Sequence, residues 1–334
     1  QLFRTSQSFQ TFSSYSENST GVGVDWLSPG GVHKLGYQLA WRELFCSSHT
    51  TATADAAPGA LSQIRASREV LQQAGHNVKS SLTHTAVMDT REAVGAILAT
   101  GVAAQLTSEI SGIGIDPRVA RFVREEVEVV SEFPLTFLKN WEASLELRVK
   151  GGVLLPWGQE RFSKPTYISD RFFLGGTADL RGFHVKGAGP TAQRRAGNTT
   201  SGGGGGGEAA SAGGGDEAGH RDALGGDVMF SAKAAVNFEI PFAPSLKSAG
   251  IYGHVYGNAG NCVGLTGYGS DQLRSVLKDL KSKTRASLGV GVVWPSPVGK
   301  LEANYCVVKR AQVHDKWRNG FHFGFSTSGL DFRR

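Results

Sequence analysis

The residues whose types and spacing could do chemistry gather in one stretch, Asp170-Arg-Phe-Phe-Leu-Gly-Gly-Thr-Ala-Asp-Leu-Arg-Gly-Phe-His-Val-Lys-Gly-Ala-Gly-Pro190. A glycine inside a helix or strand costs about 0.5–1 kcal/mol against alanine, so a segment this rich in glycine reads as a loop. Its aromatics and Arg181 suggest a loop that packs against something. Composition alone leaves two readings open: a surface loop with turn glycines, or a loop docked elsewhere in the chain. The chemistry on offer is binding, because a guanidinium held inside a protein needs a hydrogen-bond or carboxylate partner.

Bond-making chemistry has little support. Ser, His and Asp are plentiful, but there is no Gly-x-Ser-x-Gly elbow and the histidines are scattered. His84 and Asp89 fall on one candidate strand and read as lumen lining. Gly202 to Gly207 invite a phosphate-loop reading, yet the following Lys-Ser/Thr and the strand-to-helix context are missing. The tract 201–215 reads as a flexible insertion. Cys46, Cys262 and Cys306 lie far apart, with no Cys-x-x-Cys and no histidine at ligand spacing, so neither a disulfide framework nor a zinc site is expected. A reducing or redox-neutral compartment follows. No catalytic residue, metal or cofactor is expected.

The elements that must position the loop are strands. The 334 residues include 45 Gly and only 2 Met, with 19% charged, a composition suited to a barrel with a polar lumen. The net charge of +6 is spread along the chain and interleaved with Glu, which argues against a nucleic-acid partner. No apolar run is long enough for a transmembrane helix; the best, Ala93 to Leu106, is broken by Gly95, Thr100 and Gly101. Period-two alternation dominates instead, in stretches of roughly 9–14 residues, long enough for tilted strands to cross a bilayer. The expected strands are 2–10, 19–27, 34–45, 78–92, 101–110, 121–134, 141–156, 228–242, 250–260, 285–294, 299–309 and 318–332. In 34–45, Leu35, Tyr37, Leu39 and Trp41 share one face and Gly36, Gln38, Ala40 and Arg42 the other. A loop with a short helix near Leu61 to Gln73 is expected over 46–75, and a long loop over 157–227 that includes an insertion at 197–226. The fold class is all-β, a transmembrane antiparallel β-barrel, since an open sheet edge in hydrocarbon leaves backbone groups unpaired.

Several motifs then converge. Trp41-Arg-Glu-Leu44, Lys79-Ser-Ser-Leu-Thr-His84 with Asp89-Thr-Arg91, Asp170-Arg-Phe-Phe-Leu-Gly-Gly176, Leu180-Arg-Gly-Phe183, Asn258-Ala-Gly-Asn261 and Leu301-Glu-Ala-Asn-Tyr-Cys306 occur in that order. Together they resemble the core barrel subunit of the mitochondrial sorting and assembly machinery, within the superfamily of outer-membrane barrel insertases. The resemblance implies a sixteen-stranded barrel with an N-terminal POTRA domain. The twelve strands counted here would match strands five to sixteen, and the chain opens on Gln with no leader, so a longer protein is expected.

The same resemblance implies the site. Leu180, Arg181, Gly182 and Phe183 would be the sixth-loop motif, with the arginine reaching into the lumen. Bacterial relatives carry an Asp where this chain has Asn258, so the implied partner could be Asn258 or a carboxylate: Glu302, Glu239 or Glu146. Gly260 belongs to the same strand motif, and Gly289 and Gly291 would make room for Arg181 and Phe183. Arg318, Gly320, Phe323 and Phe325 fit the terminal signal of mitochondrial barrels (polar, x, Gly, x, x, hydrophobic, x, hydrophobic), in which Gly320 would thin the packing. The function implied is insertion of β-barrel precursors into the mitochondrial outer membrane by strand exchange at a lateral gate. The implied partners are unfolded precursors, accessory subunits and membrane lipid. A passive channel or a translocation pore of the same superfamily is the alternative.

Overall fold

Alternating stretches such as Leu35 to Arg42 cannot bury one face as a helix, because their period is two; they pair side by side instead. The computed structural model describes residues 1–46, 48–52, 61–93, 99–114, 120–135, 142–158, 165–196, 221–241, 243–265, 272–296 and 299–326. Twelve of its strands form one antiparallel meander in which each strand pairs with the next. They are β1 (Leu2–Ser8), β2 (Tyr15–Leu27), β3 (His33–Cys46), β4 (Gly75–Asp89), β5 (Ala99–Ser111), β6 (Phe122–Pro134), β7 (Ala143–Pro156), β8 (Val228–Phe238), β9 (Tyr252–Val263), β10 (Arg285–Ser296), β11 (Gly299–Arg310) and β12 (Gly320–Ser326). No described helix is long and apolar enough to cross a membrane. Among the described residues no ladder joins β1 to β12.

The two faces differ sharply. On β3, Leu35, Tyr37, Leu39 and Trp41 are exposed while Ala40 and Arg42 are buried. Leu288, Val290, Val292 and Trp294 point outward on β10, as do Leu301 and Tyr305 on β11. The inner face is polar: Lys233 on β8 pairs with Glu146 on β7 at 2.6 Å, and Arg148 on β7 with Glu128 on β6 at 2.8 Å. Neutral pairs inside and hydrocarbon side chains outside are what a bilayer demands of a barrel wall. One expectation fails. His84 is paired with Leu35 and lies on the outer face against His33, whose Nδ1 is 3.2 Å from its Nε2, whereas Asp89 bonds Arg91 beside the inward Glu132. Five residues is an odd spacing, and on a strand an odd spacing puts two side chains on opposite faces.

The described middle of the connection 157–227 turns inward. Phe172, Leu174, Leu180, Phe183 and Ala188 turn into the cylinder and form a core with the inward Leu154, Met229 and Cys262. Gly152 permits this on β7, since a Cβ there would sit 2.5 Å from the Phe172 ring. The expected helix near 61–73 shrinks to α1 (Arg68–Leu71), because Leu61–Arg65 is a strand instead, paired with Ser48–Ala52 and with Arg195–Ala196 of the long connection. Residues 221–223, which the sequence assigns to the insertion, pair with Thr191–Gln193. Two further helices, α2 (Pro244–Ser248) and α3 (Gln272–Ser282), sit between strands and carry no period-two signal. The tract 201–215 and residues 327–334 lie outside the described residues.

The inside-outside assignment is testable. Val290→Arg, which puts a cation on the outer face, is expected to destabilise the barrel by about 2–4 kcal/mol if it lies near the bilayer midplane. Thr83→Lys on the inner face is expected to change stability by about 0.5 kcal/mol or less. Reversible unfolding in lipid bilayers measures both.

Candidate functional site

Arg181 is buried in the interior against the wall. The glycine within its tetrapeptide lets the chain turn tightly: Gly182 has φ +87°, and a Cβ there would lie 2.9 Å from Val308 Cγ2. That close approach places the guanidinium, only 3% exposed, directly on Glu302 of β11. Nε donates to Oε2 at 2.9 Å and Nη2 to Oε1 at 2.7 Å, a bidentate pair. The Tyr256 ring lies beneath the guanidinium, 4.9 Å from its carbon. Asn304 donates to Glu302 at 3.0 Å, which leaves the Asn304 carbonyl to accept from His254 Nε2 at 2.6 Å. These bonds help to orient the carboxylate beneath the loop arginine.

Of the carboxylates the sequence offers, Glu302 alone meets Arg181; Glu146 pairs with Lys233, and Glu239 accepts from Lys247 at 3.0 Å near α2. Asn258 plays a different part. With its amide nitrogen turned toward Ser287, its carbonyl accepts from the backbone N–H of Arg181 at 2.7 Å, and Ser287 Oγ donates to the Arg181 carbonyl at 2.5 Å. Asn258 thus holds the loop backbone and not the guanidinium. Gly260 faces the loop, its missing side chain leaving room for Leu174. Gly289 and Gly291 do not receive the loop: a Cβ at Gly289 would strike Tyr256 and one at Gly291 would strike Asn304. They make room for the two wall residues that frame Arg181 and Glu302.

The motif is also bonded to the hairpin that ends the sheet. Phe183 bridges Trp317 in antiparallel fashion, Arg318 N–H donates to the Gly182 carbonyl at 3.0 Å, and His184 N–H donates to the Lys316 carbonyl at 2.9 Å. Farther along, a Cβ at Gly324 on β12 would overlap Thr177 of the loop. Phe321, Phe323 and Phe325 point outward, Phe323 being 79% exposed. Gly320 does not thin any packing, since nothing lies within 4 Å of where its Cβ would be; its φ of +122° starts the strand. The Arg318 guanidinium donates to the Phe321 carbonyl at 2.8 Å.

A second anchor grips the opposite end of the loop. Asp170 accepts from Arg42 of β3 at 2.9 and 3.0 Å and from Lys79 of β4 at 3.0 Å. Burial works to raise the Asp170 carboxyl, and the two cations overcome it and bring it down to about 2. Three of the sequence motifs, those of Trp41, Lys79 and Asp170, therefore meet at one carboxylate. A third contact rests on Lys186, whose ammonium lies 4.1–4.7 Å from the ring centres of Phe9, Phe12 and Phe173. The roles of Asp170, Lys186, Thr177 and Gly324 were not assigned from the sequence. The charge of Asp170 and the isolated Gly324 on an aromatic strand were the available signals.

The Omp85 superfamily domain model matches residues 1–328. The chain belongs to the Omp85 superfamily. It is similar to the sorting and assembly machinery component 50 homolog of Xenopus tropicalis, 30% identical over 319 residues covering 94% of this chain and 56% of that one. The human homolog is 29% identical over the same shares, and the Saccharomyces cerevisiae 50 kDa subunit is 24% identical over 91% of this chain and 52% of its own. The chain thus spans about half the length of the curated relatives it matches. Among solved structures, BamA from Haemophilus ducreyi lacking POTRA domains 1–3 shares the fold, with a TM-score of 0.60, 15% identity, and coverage of 96% of this chain and 56% of that one. Kinship with the sorting and assembly machinery components sets the location of this Omp85 barrel as the mitochondrial outer membrane.

Two measurements check the anchors. Glu302→Leu leaves a buried guanidinium without its carboxylate and is expected to cost about 3–5 kcal/mol, whereas Arg181→Met with Glu302→Leu together should cost less than the single change. The Asp170 carboxyl is lowered on folding, so its contribution, roughly 2–3 kcal/mol, is fully present above the ordinary carboxylate value of about 4. That contribution is lost as pH falls from there toward about 2. Asp170→Asn is expected to flatten the pH dependence of unfolding in that window, measured in detergent micelles.

Proposed function

We propose that this Omp85 barrel inserts and assembles β-barrel precursors in the mitochondrial outer membrane, and that the edge of β12 is one side of the lateral gate at which a precursor's terminal strand is exchanged. The observation that supports this best is the physical link between motif and edge. Arg181 is bonded to Glu302 of β11, and Gly182 and Phe183 to the segment 316–318, which leads directly into β12. An edge strand presents a row of backbone donors and acceptors to which an incoming strand can add. Arg318, Gly320, Phe323 and Phe325 would give β12 the same pattern as the client signal it receives. Phe323 and Phe325, both on the outer face, would keep that strand against lipid.

In this reading residues 1–334 work as one barrel domain with 157–227 as its long loop. The partners are unfolded barrel precursors, membrane lipid and the accessory subunits of the machinery. No bond chemistry is involved, because the charged groups around the loop are engaged in holding it in place. A passive channel or translocation pore would use the same wall but has no need of the Arg181–Glu302 pair. Conductance unchanged by Arg181→Ala would favour that alternative.

Disulfide trapping in isolated mitochondria tests the gate, using the full-length protein with its native cysteines replaced and one new cysteine in turn at positions 321 to 325. Crosslinks to a client cysteine that depend on register, and disappear when the client's signal is scrambled, are expected. Uniform or absent crosslinks with the client still assembling would overturn the gate.

A further inference from the structure

Helix α3 has no part in the motif loop, yet the wall holds it firmly. Val276 and Leu280 pack with Val228, Val263 and Leu265. Val263 shares its face of β9 with the exposed Val255, eight residues away, so α3 lies on the outer side of the cylinder. Asn261, on that same face, donates to the carbonyls of Asp279 and Leu280 at 3.0 and 2.9 Å, and Arg310 donates to the Ser282 carbonyl. The helix is thus strapped over the outer face at the end of the strands where the motif loop also emerges.

Its remaining face is a stripe at i, i+3, i+4 and i+7: Arg274, Leu277, Lys278 and Lys281, all without an ion-pair partner among the described residues, with Leu277 57% exposed. Lys309 extends the charge onto the outward face of β11, where Tyr305 and Val307 precede it. Asp279, the helix's described acid, is paired with Lys283 at 2.8 Å. The opposite rim of the same wall is built differently: Lys247 lies between Glu142 at 2.9 Å and Glu239 at 3.0 Å, which balance it. Uncompensated cations around one exposed leucine, on the lipid side and just above the hydrocarbon-facing band, match the level of phospholipid headgroups. An acidic protein would match the charge but not the outward, rim-level position.

We infer that α3 is an interfacial clamp that binds anionic phospholipid headgroups and holds the β9–β10–β11 wall, which carries Glu302, at a set depth in the bilayer. The inference rests on the barrel spanning a membrane and not on the gate. The test uses full-length protein in nanodiscs of phosphatidylcholine, with and without an anionic phospholipid, and follows amide hydrogen exchange in residues 272–282. Anionic lipid is expected to slow exchange about fivefold or more, since each cation near an anionic surface contributes on the order of a fivefold bias. The slowing should vanish at ~1 M salt, where charges are screened within about 3 Å, and in the Lys278→Gln, Lys281→Gln double variant. Equal exchange in both lipids, slowing that survives the double substitution, or slowing seen only after accessory subunits are added would each overturn the clamp. Heat-resistant migration of the double variant verifies that its barrel is folded.

Discussion

In hydrocarbon, every backbone N–H and C=O needs a partner within the protein, and this requirement shapes the rest of the molecule. Eleven consecutive antiparallel ladders meet it along the described wall. Once the backbone is paired in this way, side chains alternate strictly between lipid and interior. The interior is then free to hold charges that no lipid-facing position tolerates, provided each finds a counter-charge. Glu146 with Lys233, Glu128 with Arg148 and Glu302 with Arg181 are the result.

The inward-folded loop solves a packing problem that the wall alone leaves open. A cylinder of this kind encloses more space than its own inward side chains fill. Phe172, Leu174, Leu180 and Phe183 supply an apolar centre, and Asp170 and Arg181 supply polar anchors at either end of it. The anchors reach different parts of the wall, Asp170 to β3 and β4, Arg181 to β11. Breaking either buried ion pair would leave a charge without its partner in the interior, so both ends of the loop are held firmly. The backbone bonds from Gly182 and His184 to the segment before β12 extend that connection to the sheet's last strand.

The two rims differ in a way that follows from the same economy of charge. Where strands are joined by short connections, as between β10 and β11, little beyond the wall is present. Where long connections emerge, the chain adds α3 on the outside and the motif loop on the inside of the same strands. From outside α3 bears on β8 and β9, and from inside the motif loop bears on β9, β10 and β11, so β9 is held from either side.

How much of this was legible in the chain depends on the range of the interaction. Strand positions, their inner and outer faces and the loop character of 170–190 follow from local alternation and from glycine, because the period of a strand and the conformational freedom of glycine are properties of a few neighbouring residues. The parity error at His84 was avoidable on that basis. The choice of Glu302 over Glu146 and Glu239 was not, since all three are acids on or beside strands and only the register of β9, β10 and β11 brings one beneath the loop. The same holds for Gly289 and Gly291, which accommodate Tyr256 and Asn304 from neighbouring strands, and for Gly324, which accommodates Thr177 from far along the chain. By itself the sequence determined that the chain is a wall of paired strands with one packing loop. Only the tertiary structure decided which charges meet, because a buried pair depends on ångström-scale distances set by pairing register, and a single sequence does not encode register locally.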